Sequence, residues 1–210
     1  MNELKAITIA DNEKYLRQIS KEVELEDEEL IENLKVLEEY CKTHEVMAIA
    51  AIQLGIPKRI VYLKNTNLEL INKSSNNIAA VEEESYDESR ILINPIIISK
   101  EGLTDYWEAC ASCLDNLGHV RRPYKILVEY QDINGKKHSE KFIGFESTVL
   151  SHEMDHLDGI LHMDIADELL HMNPEERKKF RQEHNYNIIR KTGHYQELLK
   201  TIKPNLVLKK

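Results

Sequence analysis

The sequence predicts an α+β fold, with mixed or antiparallel β-sheets packed around a central helix whose histidines have metal-binding spacing. An N-terminal helix precedes the sheets and a helical C-terminal tail follows them. Three observations predict this. Phe145 to Gly159 places Phe145, Val149, His152 and His156 on one helical stripe, with Leu150, Met154 and Leu157 beside it, so the helix must be largely buried. Lys125 to Asp132 and Lys136 to Ile143 flank Ile133-Asn134-Gly135, whose Asn-Gly pair is a strong hairpin signal. Glu26 to Thr43 carries Leu30, Ile31, Leu34, Leu37 and Cys41 at three- and four-residue steps, with acidic residues in the first turn where the helix dipole favours them.

In chain order, Met1 to Lys5 lacks a basic region followed by an apolar stretch, so no secretory signal is expected. The Glu26 to Thr43 helix comes next, with Cys41 on its packing stripe. Arg59 to Leu63 and Ile91 to Ile93 are short, β-branched strands. Residues 65 to 88 between them are rich in Asn, Ser and Glu and read as a long surface excursion. The hairpin follows, then the histidine helix, which Gly159 ends by taking the left-handed cap conformation. There is no internal repeat and no low-complexity tract.

At 210 residues, 41% hydrophobic and 31% charged, the chain fits one globular domain with an appended tail, and we divide it into a body at 1–168 and a basic helical extension at 169–210. Its longest apolar runs, such as Met47 to Ile52, are far too short to span a bilayer. Three cysteines, Cys41, Cys110 and Cys113, are an odd and sparse set that fits a reducing compartment better than a disulfide framework. Net charge is −9, but Pro174 to Lys210 holds ten Lys/Arg against four Asp/Glu. That basic tail suits either an anionic partner or a solvated helical face.

The pentad His152-Glu153-Met154-Asp155-His156 carries the chemistry. Histidines four apart grip one metal ion from one helix face, and Glu153 sets a carboxylate beside the open coordination position as a general base. Two buried histidines bonded to carboxylates such as Asp155 are the plainer alternative, at a desolvation cost. The third ligand decides the class. His162, Asp164 or Glu175 would make a metalloprotease pattern, whereas Cys110 offers a thiolate from a strand-like segment upstream. Cys110-x-x-Cys113 also reads as half a zinc site or a redox pair, though no second such pair exists, and in an extended segment the two face opposite sides.

Three motifs resemble those of the peptide deformylases. The family's HExDH-Leu-x-Gly is similar to His152-Glu153-Met154-Asp155-His156-Leu157-Asp158-Gly159, and its EGCLS resembles Glu108-Ala109-Cys110-Ala111-Ser112. Its GxGxAAxQ resembles Val46-Met47-Ala48-Ile49-Ala50-Ala51-Ile52-Gln53. Leu92-Ile93-Asn94-Pro95 and Val120-Arg121-Arg122 match too, so the likeness runs from about Ile7 to Ile165. Aligning on Cys110 keeps the Glu two residues before, the Ser two residues after and the Val-x-Arg spacing, whereas Cys113 keeps only a Leu. Val46 and Ala48 replace both glycines of the first motif, and Ala109 and Ala111 stand for Gly and Leu, which marks a divergent member.

The resemblance implies a metallohydrolase that removes the formyl group from N-formyl-methionyl nascent chains. It implies Cys110, His152 and His156 as metal ligands, Glu153 as the base, and Gln53 with the backbone N–H of Ala111 as oxyanion donors. It implies Fe²⁺ as the cofactor, with Zn²⁺, Ni²⁺ or Co²⁺ as substitutes, and a bacterial-type cytoplasmic or organellar-matrix setting. The methionine pocket would involve Met47, Tyr106, Phe145 and Val149, and the substrate peptide would lie against Val46 to Ala48. Glu108 and Arg122 would form an ion pair behind the cysteine. A divergent homologue with altered substrate preference and a ribosome-associating module working through the basic tail are the alternatives.

Overall fold

The computed structural model describes residues 4–183 except 25, 45 and 65–89; the expected polar excursion and the tail after residue 183 lie outside the described residues. The chain opens with α1 (Ile9–Leu16), which no apolar periodicity announces. A capping box sets it: the Thr8 N–H donates to the Asp11 carboxylate at 2.9 Å, and the Asp11 N–H donates back to Thr8 Oγ1 at 3.3 Å. Next, α2 (Leu30–His44) starts four residues later than the spacing predicts. Leu30, Leu34, Leu37 and Cys41 are buried as expected, but Ile31 is 58% exposed. It lies one helical step, about 100°, off the stripe those four residues form, and so faces outward.

Among the described residues, six strands form one sheet: β1 (Ala48–Ala50), β2 (Ile60–Leu63), β3 (Arg90–Ala109), β4 (Asn116–Gln131), β5 (Lys137–Ile143) and β6 (Glu168–His171). Their order is β1-β2-β3-β4-β5, with β6 on β4. Every pair among these six strands is antiparallel, so the choice left open by the sequence resolves to the antiparallel form for them. The β4–β5 turn is closed by Asp132, whose Oδ1 accepts from the N–H groups of Asn134 (2.8 Å) and Lys136 (3.1 Å), while Gly135 takes φ 77°.

The short strand expected at Ile91 to Ile93 is the start of a strand of 20 residues. Asn94-Pro95 does not end it, because the register shifts there between Ile93 and Ile96, and a bulge tolerates a proline that cannot donate. Asn94 itself sits at φ 51°, and its side chain accepts from the Val23 N–H at 2.8 Å and donates to the Val23 carbonyl at 2.9 Å. This continuation delivers Glu108, Ala109 and Cys110 to the centre of the molecule.

The histidine helix is α3 (Phe145–Leu157), and within it only Val149 and Asp155 escape full burial. Strand alternation explains how the sheet holds two helices. Ile60 and Tyr62 of β2 join the cluster containing Leu34 and Leu37 of α2, whereas Val61 and Leu63 join Leu150, Met154 and Leu157 of α3. Gly159 takes φ 73°, and a Cβ there would lie 2.4 Å from the Arg17 carbonyl oxygen, so the end of α1 also demands glycine. The last helices among the described residues are α4 (His162–Ile165) and α5 (Pro174–Glu183).

Candidate active site

The site forms where β3 ends. Cys110 stands as the N-cap of a 3-10 turn (Ala111–Cys113), and its Sγ accepts from the Ser112 N–H at 3.4 Å. On α3, the four-residue spacing brings the His152 and His156 rings to 4.9 Å between centroids, nearly perpendicular at 83°. Cys110 Sγ lies 3.2 Å from His156 Nε2, and the ligand atoms of Cys110, His152 and His156 all fall within 4.8 Å of one another. One thiol and two imidazoles are the soft and borderline donors that suit Zn²⁺ or Fe²⁺, and three protein ligands leave a position open.

The other candidates fall outside this cluster. Cys113 is fully buried against Leu16 and Leu161, a packed residue. His162 is buried beside His152, with ring centroids 5.7 Å apart. Asp164 accepts from Arg17 at 2.5 Å, and Glu175 lies exposed on α5. Asp155 bonds Arg122 rather than either histidine of the pair.

A chain of polar contacts fixes the ligands. Arg122 donates to both oxygens of Glu108, at 2.7 and 2.9 Å, and also to Asp155. Glu108 Oε2 in turn holds His152 Nδ1 at 2.9 Å, which orients that ring and leaves its other nitrogen for a metal. Burial works against the Glu108 charge, but Arg122 and His152 hold its pKa at about 2. The expected Glu108–Arg122 pair is therefore present, and the bond from Glu108 to His152 was not foreseen. A signal for it exists in the sequence: residues 108 and 110 share parity in a strand and so share a face.

On the opposite wall, Gln53 Nε2 donates to Ser112 Oγ at 3.1 Å and to Cys110 Sγ at 3.4 Å. Its Oε1 accepts from the Ala50 N–H at 3.0 Å. Glu153 is buried, and its Oε2 is without a partner, as is His156 Nδ1. Burial pushes the Glu153 carboxyl up to about 7. An unpartnered carboxylate oxygen at this depth is costly unless something binds there, so the surroundings fit a cation and its ligands.

These groups share a cavity of about 250 Å³. Its lining includes Gln53, Glu108, Cys110, Ala111, His152 and Glu153, and also Val46, Met47, Ala48, Tyr106, Phe145 and Val149. Every residue that sequence reasoning assigned to catalysis or substrate binding thus borders one space, with His156 behind it.

The Polypeptide deformylase family model matches residues 5–171. This chain belongs to the polypeptide deformylase family. It is 35% identical over 166 residues to a peptide deformylase of Pelagibacter ubique, covering 77% of this chain and 86% of that one. It is 33% identical over 168 residues to peptide deformylase 2 of Clostridium acetobutylicum, covering 80% of this chain and 98% of that one. Among solved structures, a probable peptide deformylase from Synechococcus phage S-SSM7 superposes with TM-score 0.63 at 33% identity, covering 77% of this chain and 99% of that chain. The Plasmodium falciparum peptide deformylase complex with inhibitor gives 0.60 at 28%, covering 88% and 99%. A Cys-and-two-His metal site is typical of deformylases, and this chain carries one at Cys110, His152 and His156. No described helix is long and apolar enough to cross a membrane.

Proposed function

We propose that this deformylase removes the N-formyl group from the initiator methionine of nascent chains, releasing formate and a free amino terminus. One observation carries the reading: a Cys-His-His cluster, a buried carboxylate with one unpartnered oxygen and an apolar wall border the same cavity. Cys110, His152 and His156 hold a divalent ion, Fe²⁺ by family, with Zn²⁺, Ni²⁺ or Co²⁺ as substitutes. That ion, when bound, supplies Lewis acidity toward the formyl carbonyl and a polarised water.

The chain's own groups do the rest. Glu153 accepts a proton from the attacking water and passes it to the departing amine nitrogen, so the C–N bond breaks as formate leaves. Burial raises this carboxyl above the usual carboxylate range, which suits a group that takes up a proton and gives it back. The Gln53 side-chain amide and the Ala111 N–H donate to the oxygen that gains negative charge. Because the second donor is backbone, alanine at 111 leaves it intact. The Glu108 and Arg122 pair keeps the His152 ring oriented.

Met47, Tyr106, Phe145 and Val149 receive the methionine side chain. The peptide lies along Val46 to Ala48, which leads into β1 at the end of the sheet order. Side chains at 46 and 48, where the family has glycine, border the cavity and favour a narrowed substrate preference. The ten basic residues against four acidic ones in Pro174 to Lys210 support ribosome association through the tail, in a bacterial-type cytoplasm or an organellar matrix. Formate release from formyl-Met-Ala, with metal content measured on the same sample, tests the activity. Metal-loaded protein that releases no formate from any formyl-methionyl peptide would refute it.

A further inference from the structure

The family match ends at residue 171, yet the chain continues into α5 and packs back on the site. A local signal starts this helix: Asn173 Oδ1 accepts from the N–H groups of Glu175 and Glu176, each at 3.0 Å, and the Glu176 carboxylate accepts from the Asn173 N–H at 2.8 Å. From α5, Arg177 reaches across to donate from Nη1 to the Leu114 carbonyl at 2.8 Å, with Asp115 Oδ1 4.0 Å away. Its side chain is only 16% exposed, unlike a solvated tail cation. Further along α5, Phe180 meets Trp107 edge-on, with ring centroids 5.4 Å apart.

Leu114 is the residue that needs holding. It sits at φ 55°, ψ −127°, a conformation that costs a side-chain-bearing residue energy and persists only where surrounding contacts impose it. It directly follows the 3-10 turn that begins at the metal ligand Cys110. Bonds link the two: the Cys113 N–H donates to the Cys110 carbonyl at 3.1 Å, and Asn116 Nδ2 donates to the Cys113 carbonyl at 2.9 Å. The same C-terminal segment takes the next carbonyl as well, since the Met172 N–H donates to Asp115 at 2.8 Å, and β6 pairs with β4 from Asn116 onward. Trp107, three residues before Cys110, and Leu114, four after it, are both contacted from α5.

We infer that α5 is a brace for the thiolate-bearing turn, with Arg177 as a positioning residue that holds Leu114 in its strained conformation and so keeps Cys110 at the metal. The inference rests on the metal reading above. It assigns the first turns of the C-terminal extension a role at the centre that is separate from any ribosomal role of the tail.

The full-length protein loaded with Co²⁺ tests it, because a cobalt–thiolate bond gives a charge-transfer band in the near ultraviolet. Arg177→Ala should release Co²⁺ to EDTA about ten-fold faster than wild type, with the band weakened, as is typical when a supporting contact behind a ligand is lost. Lys179→Ala, on the exposed face of α5, should release it at the wild-type rate. Adding Leu114→Gly to Arg177→Ala should restore slow release, because glycine takes that conformation without cost. A helix that merely docks would show no such rescue. If Arg177→Ala does not fold, Arg177→Met removes the donor and keeps the half-buried stem. Equal release from wild type and the Arg177 variant, or no rescue by Leu114→Gly, overturns the brace alone. Wild type that lacks the thiolate band overturns the centre and the brace together.

Discussion

At the polar end of the cavity, hydrogen bonds join Gln53 to Cys110 and Ser112, and a second series joins His152, Glu108, Arg122 and Asp155. At the apolar end, Met47, Val149, Tyr106 and Phe145 meet through packing, with the two rings 5.2 Å apart. The departures from the family pattern follow this division. Val46 and Ala48 lie with the apolar wall, whereas Ala109 and Ala111 flank Cys110 at the polar end, where the proposed role of Ala111 uses only its backbone. Packing accepts a change of volume at modest cost, while an oriented ligand set accepts almost none. Substrate preference can therefore drift in this chain while its chemistry stays fixed.

The sharpest way to break the contrast is to remove the reacting groups. Cys110→Ser should lose metal on dialysis, and Glu153→Ala should keep its metal while turnover falls about 10²–10⁴-fold, read by metal analysis beside formate release. An active Glu153→Ala variant would sink the base assignment. Gln53→Ala comes next, with an expected drop of about 10²–10³ in kcat and little change in KM. A larger effect on KM than on kcat would assign Gln53 to substrate binding instead.

Glu108→Gln probes the support behind His152. Metal affinity should fall roughly 10–100-fold. Stability should fall too, by about 1–3 kcal/mol in denaturant unfolding, because buried Arg122 is left with Asp155 as its remaining carboxylate partner. At the apolar end the effects should be smaller and of opposite sign. Val46→Gly with Ala48→Gly should lower KM for formyl-methionyl peptides by no more than about ten-fold and leave kcat nearly unchanged. A kcat effect as large as that of Gln53→Ala would abolish the distinction between the two ends.

The smallest effect belongs to Cys41, far from the chemistry. Burial pushes its thiol up to about 12, so the folded protein keeps it protonated and slow to alkylate at pH 8. The folded-state pKa exceeds the ordinary value of 9.0, so this group's contribution to stability is complete below about pH 9 and declines as pH rises toward about 12. Thiol labelling and urea unfolding across that range check it; rapid labelling of native Cys41 at pH 8 would contradict its burial.

Much of this site was legible in the sequence because its decisive spacing is local. Histidines four apart share a helix face whatever surrounds the helix, and Asn134-Gly135 closes a hairpin by its own turn preference. Glu108 was legible only in part: its pairing with Arg122 follows from the motif, but its bond to His152, 44 residues away, depends on how α3 lies against β3. The long β3 was hidden by Asn94-Pro95, since a proline reads as a strand end until a bulge gives it a place. Ile31 was misread because a run of apolar residues does not say where a stripe is centred.

The sequence by itself determined the donor types, their helical spacing and the family they resemble, because imidazoles at i and i+4 and a carboxylate between them act through one rigid turn. Only the tertiary structure decided that the described strands pair wholly antiparallel, that Glu108 reaches His152, and that α5 grips the turn between β3 and β4. Those outcomes depend on strand register and on contacts between segments distant along the chain. Such contacts form only when the whole core closes, and no local propensity encodes them.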